Sequence, residues 1–209
     1  MKFDNKLKYS LDLAEIIGIM MGDGCLYLDR TKKYQIIISF HKKEKNYLKY
    51  VKNLFEHYFS NYKFCITEIE NEFLLRNNSV VVGKKLISAG LIQGNKINNK
   101  ITIPNLILEN NIYLLRFMRG FFDTDGCIYC KYGNYAQIQF KLASKETINS
   151  LRHALTTLNF HPTKIQKEVY DNKPSWKIYL VRQNEVKRFF KEINPKNLKH
   201  KERYYNIKN

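Results

Sequence analysis

Ile16-Ile17-Gly18-Ile19-Met20-Met21-Gly22-Asp23-Gly24-Cys25-Leu26-Tyr27 has a counterpart 102 residues later, Met118-Arg119-Gly120-Phe121-Phe122-Asp123-Thr124-Asp125-Gly126-Cys127-Ile128-Tyr129. The same displacement carries Gln35-Ile36 onto Gln137-Ile138 and Lys43-Glu44 onto Lys145-Glu146. Chance matches do not keep register in this way, so the chain reads as a duplication. The register then drifts, yet each half goes on to a polar strand-like stretch (Glu72 to Arg76, Trp176 to Arg182) and a basic helix-like one (Gly83 to Ala89, Glu185 to Glu192). Two similar subdomains are expected, at residues 1–103 and 111–209. The joining segment, 104–110, is marked by Pro104 and the following Glu-Asn-Asn cluster.

Within each copy the pattern is helical up to the Asp-Gly and extended after it. The first helix carries Leu13, Ile16, Ile17, Ile19, Met20 and Met21 nearly all round, which predicts burial, and Asp12 with Glu15 has capping-box spacing. Its counterpart begins near Asn111 and holds Leu114, Leu115, Phe117, Met118, Phe121 and Phe122. Gly18 and Gly22 stand four apart on one face, as do Gly120 and Thr124, and small residues at that interval let two helix backbones approach closely. The two helices are therefore expected to pack on each other. Gly24 and Gly126 are expected just past the helix ends with positive φ.

Such packing brings Asp23 and Asp125 together at equivalent C-terminal positions. Two confined carboxylates repel, and the negative ends of both helix dipoles add to the cost. A divalent cation resolves it. Carboxylate oxygens suit Mg²⁺, with Mn²⁺ as a substitute, and such an ion binds one or two acids together with waters and phosphate oxygens. Phosphodiester hydrolysis is the chemistry this suggests. An EF-hand reading of Asp123-Thr124-Asp125-Gly126 fails, because position twelve would be Asn134. Cys127 and Cys130 have half a zinc-knuckle spacing with no second pair.

Of 209 residues, 36 are Lys or Arg and 19 are Asp or Glu, a formal charge of +17 that points to a polyanion partner. A hydrophobic share of 44% supplies a core, which excludes a disordered basic tail. Four irregularly spaced cysteines form no disulfide framework, and the N-terminus lacks the apolar run of a signal peptide. An intracellular protein is expected, with no membrane span and no membrane partner, since the longest mainly apolar run, Leu11 to Met21, is too short and is broken by Asp12, Glu15 and Gly18.

Gln137 to Leu142 alternates strictly, with Ile138, Phe140 and Leu142 facing a core and Gln137, Gln139 and Lys141 facing out. The matching outward positions in the first half are Gln35, Ile37, Ser39 and His41. Tyr27, Arg30, Lys32, Lys33, Tyr129, Lys131 and Tyr132 lie beside them, and the later strand-like stretches add Arg76, Lys177, Tyr179 and Arg182. A sheet bearing such groups fits a surface that reads nucleic acid through a groove. Unequal faces, His41 against Ala143 and Ile37 against Gln139, predict that the two halves read different half-sites.

The paired stretches resemble the two motif copies of the LAGLIDADG homing endonucleases, over most of the chain and in the monomeric, two-motif branch. The resemblance implies an α+β fold of two αββαββα subdomains, pseudo-symmetric, with their antiparallel sheets forming a saddle over DNA and the motif helices packed at the interface. It implies a metal-dependent, site-specific double-strand endonuclease, with Asp23 and Asp125 as catalytic metal ligands. It makes His41 a water-ordering candidate, and it makes Lys96 or Lys100, and Lys199 or Lys201, the active-site lysines, of which Lys96 and Lys201 are taken here. Met21 replaces the inner acid that the second copy carries as Asp123, so Asp123 is expected to make a local structural contact. The chain end lacks the His-Asn of a self-splicing intein, which implies a free-standing enzyme. Rival readings on the same scaffold are an intron maturase binding RNA and a DNA-binding regulator without catalysis.

Overall fold

The computed structural model describes residues 9–208. Residues 1–8, the start of the expected first subdomain and of the stretch read for a signal peptide, lie outside the described residues, as does the terminal Asn209. The elements repeat in order. The first half holds α1 (Leu11–Met21), β1 (Gly24–Leu28), β2 (Tyr34–His41), α2 (Lys45–Tyr58), β3 (Cys65–Ile69), β4 (Glu72–Asn77) and α3 (Val80–Ser88). After a short helix α4 (Asn105–Leu108) come α5 (Asn111–Asp125), β5 (Gly126–Cys130), β6 (Ala136–Leu142), α6 (Lys145–Thr157), β7 (Gln166–Tyr170), β8 (Lys173–Leu180), α7 (Gln183–Glu192) and α8 (Leu198–Lys208). Each half forms one four-stranded antiparallel sheet, in the orders β1-β2-β4-β3 and β5-β6-β8-β7. The α+β, pseudo-symmetric architecture expected from the duplication is therefore the one adopted.

The alternation along each strand decides which sheet face is covered. Ile36, Ile38 and Phe40 of β2 and Ile138 and Phe140 of β6 are buried in a core shared with Val51 and Phe55 of α2, Leu86 of α3, Leu151 of α6 and Phe189 of α7. The intervening residues are left on the opposite face.

Ser10 caps α1 by accepting from the Leu13 N–H at 3.2 Å, so Asp12 and Glu15 do not form the capping box their spacing suggested. Both acids reach the other half instead, while also bonding within their own, Asp12 to His57 at 2.8 Å and Glu15 to Tyr50. Glu15 is buried and lies 3.2 Å from the Arg116 guanidinium and 3.5 Å from that of Arg119, while the Tyr50 hydroxyl donates to it at 2.5 Å. Asp12 pairs with Arg116 at 3.5 Å. On α5, the Asn110 side chain accepts from the Ile112 and Tyr113 N–H groups.

Candidate active site and nucleic-acid interface

Two glycines bring the motif helices into backbone contact. A Cβ on Gly18 would lie 2.2 Å from the Phe117 carbonyl oxygen, and one on Gly120 would lie 2.3 Å from the Glu15 carbonyl oxygen. These contacts are mates under the duplication. Further along, a Cβ on Gly22 would lie 2.0 Å from Thr124 Oγ1 and 3.4 Å from Asp125 Oδ2. The helices thus run in the same direction and end side by side, with Asp125 closing α5 and Asp23 directly after the Gly22 cap of α1. Gly18, Gly22, Gly120 and Thr124 all stand at this contact.

Gly24 and Gly126 serve differently from expectation. Gly126 has φ −81°, and neither glycine is in the positive-φ region. A Cβ would instead strike the preceding turn, 2.5 Å from Met20 Cα and 2.1 Å from Phe122 Cδ2. Close approach of strand to helix is what excludes a side chain there.

Burial raises the carboxyl of Asp125 to about 6, and the negative charge of Asp23 adds to the rise, against the opposing pull of Lys96 and Lys199. Asp23 reaches solvent at its surface but has protein on most sides, and this desolvation raises its carboxyl too, with Lys199 and Lys96 opposing and Glu44 and Glu72 reinforcing. The two acids are neighbours, and the same two ammonium groups act on both.

Lys96 donates to the carbonyls of Met20 (3.4 Å), Met21 (3.0 Å) and Gly22 at the end of α1, where the helix dipole is negative. Its own pKa is lowered by burial, against the pull of Asp125 and Asp23. Lys199 pairs with Glu44 at 2.8 Å. The charge of Lys201 falls on Lys196. The displacement from Lys96 to Lys199 is 103 residues, close to that of the acids, and this interval was the available sign of which C-terminal lysine is the mate of Lys96. His41 is exposed and caps the turn after β2, its Nδ1 accepting from the Lys43 N–H at 3.1 Å. It lines a cleft of about 550 Å³ together with Glu44, Asn197 and Lys199. Asp123 is fully buried and accepts from the backbone N–H groups of Lys196 (2.7 Å) and Asn197 (3.1 Å). Sequence reasoning did not single out Glu44 or Asn197, whose importance depends on a contact between halves.

The register sets the open sheet face. In the first half Tyr27 opposes Gln35, and Ile37 opposes Arg76, with Ser39 and His41 further along β2. In the second, Tyr129 opposes Gln137, Gln139 opposes Tyr179, and Lys141 opposes Lys177. Gln139 donates to the Tyr179 hydroxyl at 2.9 Å, and Lys141 and Lys177 both pair with Glu168. Gln137 is only 6% exposed, its Oε1 accepting from Tyr129. Arg30, Lys32 and Lys33 project from the β1–β2 loop, and Lys131 and Tyr132 from the β5–β6 loop, all exposed. Arg182 departs from this face: it precedes α7 and pairs with Glu185 at 3.6 Å.

Residues 113–194 match the family model of the LAGLIDADG-like domain. Most of the second half is thus similar to a LAGLIDADG-like domain. Most of the chain superposes on solved structures at low identity, which establishes the fold. I-DmoI in complex with DNA and Mn matches at TM-score 0.66 and 15% identity, covering 88% of this chain and 96% of that one. I-AabMI bound to uncleaved DNA matches at 0.60 and 14%, covering 90% and 86%. I-WcaI bound to its DNA recognition sequence matches at 0.58 and 18%, covering 96% and 90%. Other I-DmoI structures are DNA complexes with Ca or in the presence of Mg. No curated protein matches.

At the ends of the motif helices the donors that could meet a cation are the carboxylates of Asp23 and Asp125. No group of three or more His, Cys, Asp and Glu side chains suited to a metal forms among the described residues. Two hard oxygen donors whose like charges repel each other fit Mg²⁺ or Mn²⁺, which take their remaining ligands from water and substrate phosphate. The four cysteines are free, Cys127 and Cys130 included. No helix among the described residues is long and apolar enough to cross a membrane.

Proposed function

We propose that this chain is a site-specific double-strand DNA endonuclease, acting as a monomer on a long asymmetric target inside the cell. The observation that carries the reading is the juxtaposition of Asp23 and Asp125 at the ends of two helices in backbone contact, between two sheets with open polar faces. Residues 1–103 and 111–209 would each engage one half-site, with 104–110 between them.

Asp23 and Asp125 would hold Mg²⁺ or Mn²⁺, which when bound supplies positive charge to the scissile phosphate and lowers the pKa of water. The remaining chemistry belongs to the chain. Lys96 and Lys199 offset the paired carboxylates and lie ready to meet the negative phosphate. Tyr27, Gln35, Ser39 and Arg76, with Tyr129, Gln139, Lys141, Lys177 and Tyr179, offer donors and acceptors to base edges and backbone. His41 stands at the margin of the site, where it would order water.

The test is incubation with Mg²⁺ and a randomised duplex library, followed by sequencing of cut ends. One recurrent, staggered cut is expected. Asp23→Asn should abolish cutting while DNA affinity stays within a few-fold. A regulator without catalysis predicts no cut from the native chain. The three similar structures described above are all named with bound DNA, so the intron-RNA reading receives no support from them.

A further inference from the structure

The two lysines at the acid pair are anchored by different means, and the difference traces to one residue in each motif helix. In the second half Asp123 accepts from the Lys196 and Asn197 N–H groups, so the segment entering α8 is fixed by its own main chain. The Lys199 ammonium is left to reach the first half, where it meets Glu44 at 2.8 Å. In the first half the position equivalent to Asp123 is Met21, which offers no carboxylate. There the Lys96 ammonium itself donates to the carbonyls of Met20, Met21 and Gly22.

Glu44 is well placed to hold its partner. Its Oε1 also accepts from Asn197 Nδ2 at 2.7 Å, and its Oε2 accepts from the His41 N–H at 3.0 Å. Asn197 is 2% exposed and also donates to the Asp123 carbonyl at 3.1 Å, so it ties Glu44 to α5. Partial burial opposes ionisation of Glu44, but its bonds to Lys199 and Asn197 outweigh this and hold the carboxyl below its ordinary value. By the duplication, the mate of Glu44 is Glu146, whose Oε2 lies 3.5 Å from Ser144 Oγ. Lys96 is thus fixed to main chain, and Lys199 to an ionised side chain from the opposite half.

We propose that Glu44 is the positioning residue for Lys199 and that it sets the rate at which one DNA strand is cut, separately from the other. The inference rests on the endonuclease reading. A pseudo-twofold protein on a duplex aligns its axis with that of the DNA, so each strand meets one of the two lysine arrangements. Glu44 acts through Lys199 and has no part in contacting the phosphate.

The experiment is single-turnover cleavage of a duplex carrying a different dye on each strand, with native chain, Glu44→Gln, Lys199→Met and the double variant. Glutamine preserves an acceptor for the His41 N–H, and circular dichroism checks folding. Glu44→Gln should slow one strand by roughly tenfold to a hundredfold, the scale of a misplaced group, and leave the other strand and DNA affinity within about twofold. In the Lys199→Met background it should add nothing. Acetylation of surface amines, read by peptide mass spectrometry, should show Lys199 more reactive in Glu44→Gln and Lys96 unchanged. Equal slowing of both strands, no slowing, further slowing on top of Lys199→Met, or unchanged Lys199 reactivity would each overturn the proposal while leaving the endonuclease reading intact. A native chain that cuts neither strand would overturn both.

Discussion

Gly18 shows how little room the motif helices leave. The atom 2.2 Å from its hypothetical Cβ is a backbone oxygen, which cannot rotate away as a side chain would. Gly18→Ala is therefore expected to force the helices apart and to cost about 1–3 kcal/mol, the range for overpacking, measured by urea denaturation. At the nucleic-acid face, Asp29 has a structural task hidden by its charge. Its carboxylate accepts from the Thr31 N–H and hydroxyl, the Lys33 N–H and the Gln35 side chain, and so orders the loop bearing Arg30, Lys32 and Lys33. The Thr31 hydroxyl, then the Lys33 N–H, lead in holding this carboxyl down to about 2. A depressed carboxyl stabilises the fold above its unfolded value near 4 and loses that contribution as pH falls toward about 2. Carboxyl-carbon NMR should find the Asp29 midpoint near 2. Asp29→Ala should weaken DNA binding several-fold by fluorescence anisotropy, although removal of an acid alone would strengthen it.

At the scale of elements, the contact between α1 and α5 combines a small-residue seam with a buried charge cluster. Glu15 of α1 faces Arg116 and Arg119 of α5, and Arg119 is only 9% exposed, its Nε donating to the Ile193 carbonyl at 2.8 Å. Removing the acid leaves buried positive charge without its counterion. Glu15→Ala should then cost about 3–5 kcal/mol in denaturant unfolding, the scale for breaking one side of a buried pair. The helices themselves were legible from their apolar residues, and their contact from the interval between small ones. The start of α1 was not, because both Ser10 and Asp12 are competent cap residues. Only the positions of His57 and Arg116 show where Asp12 is used.

Across the whole molecule the formal charge is +17, and Lys and Arg are distributed over both halves. If six to ten phosphates are contacted, affinity should fall by about 10³–10⁵ between roughly 50 and 200 mM salt, as read from anisotropy titrations. A flat salt response would contradict a phosphate-dominated interface. By itself the sequence determined the duplication, the alternation of covered and open strand positions, and the pairing of Asp23 with Asp125, because periodicity and repeat record burial and symmetry directly. The tertiary structure alone decided that Lys199 joins Lys96 beside the acids, that Glu44 and Asn197 link the halves, that Gly24 and Gly126 are needed for space, and that Gln137 is covered. The contacts of Lys199, Glu44 and Asn197 depend on segments that meet only after the halves have packed, while the clearance at Gly24 and Gly126 and the cover over Gln137 depend on how closely a turn and a hairpin fold back, which no periodicity along the chain records.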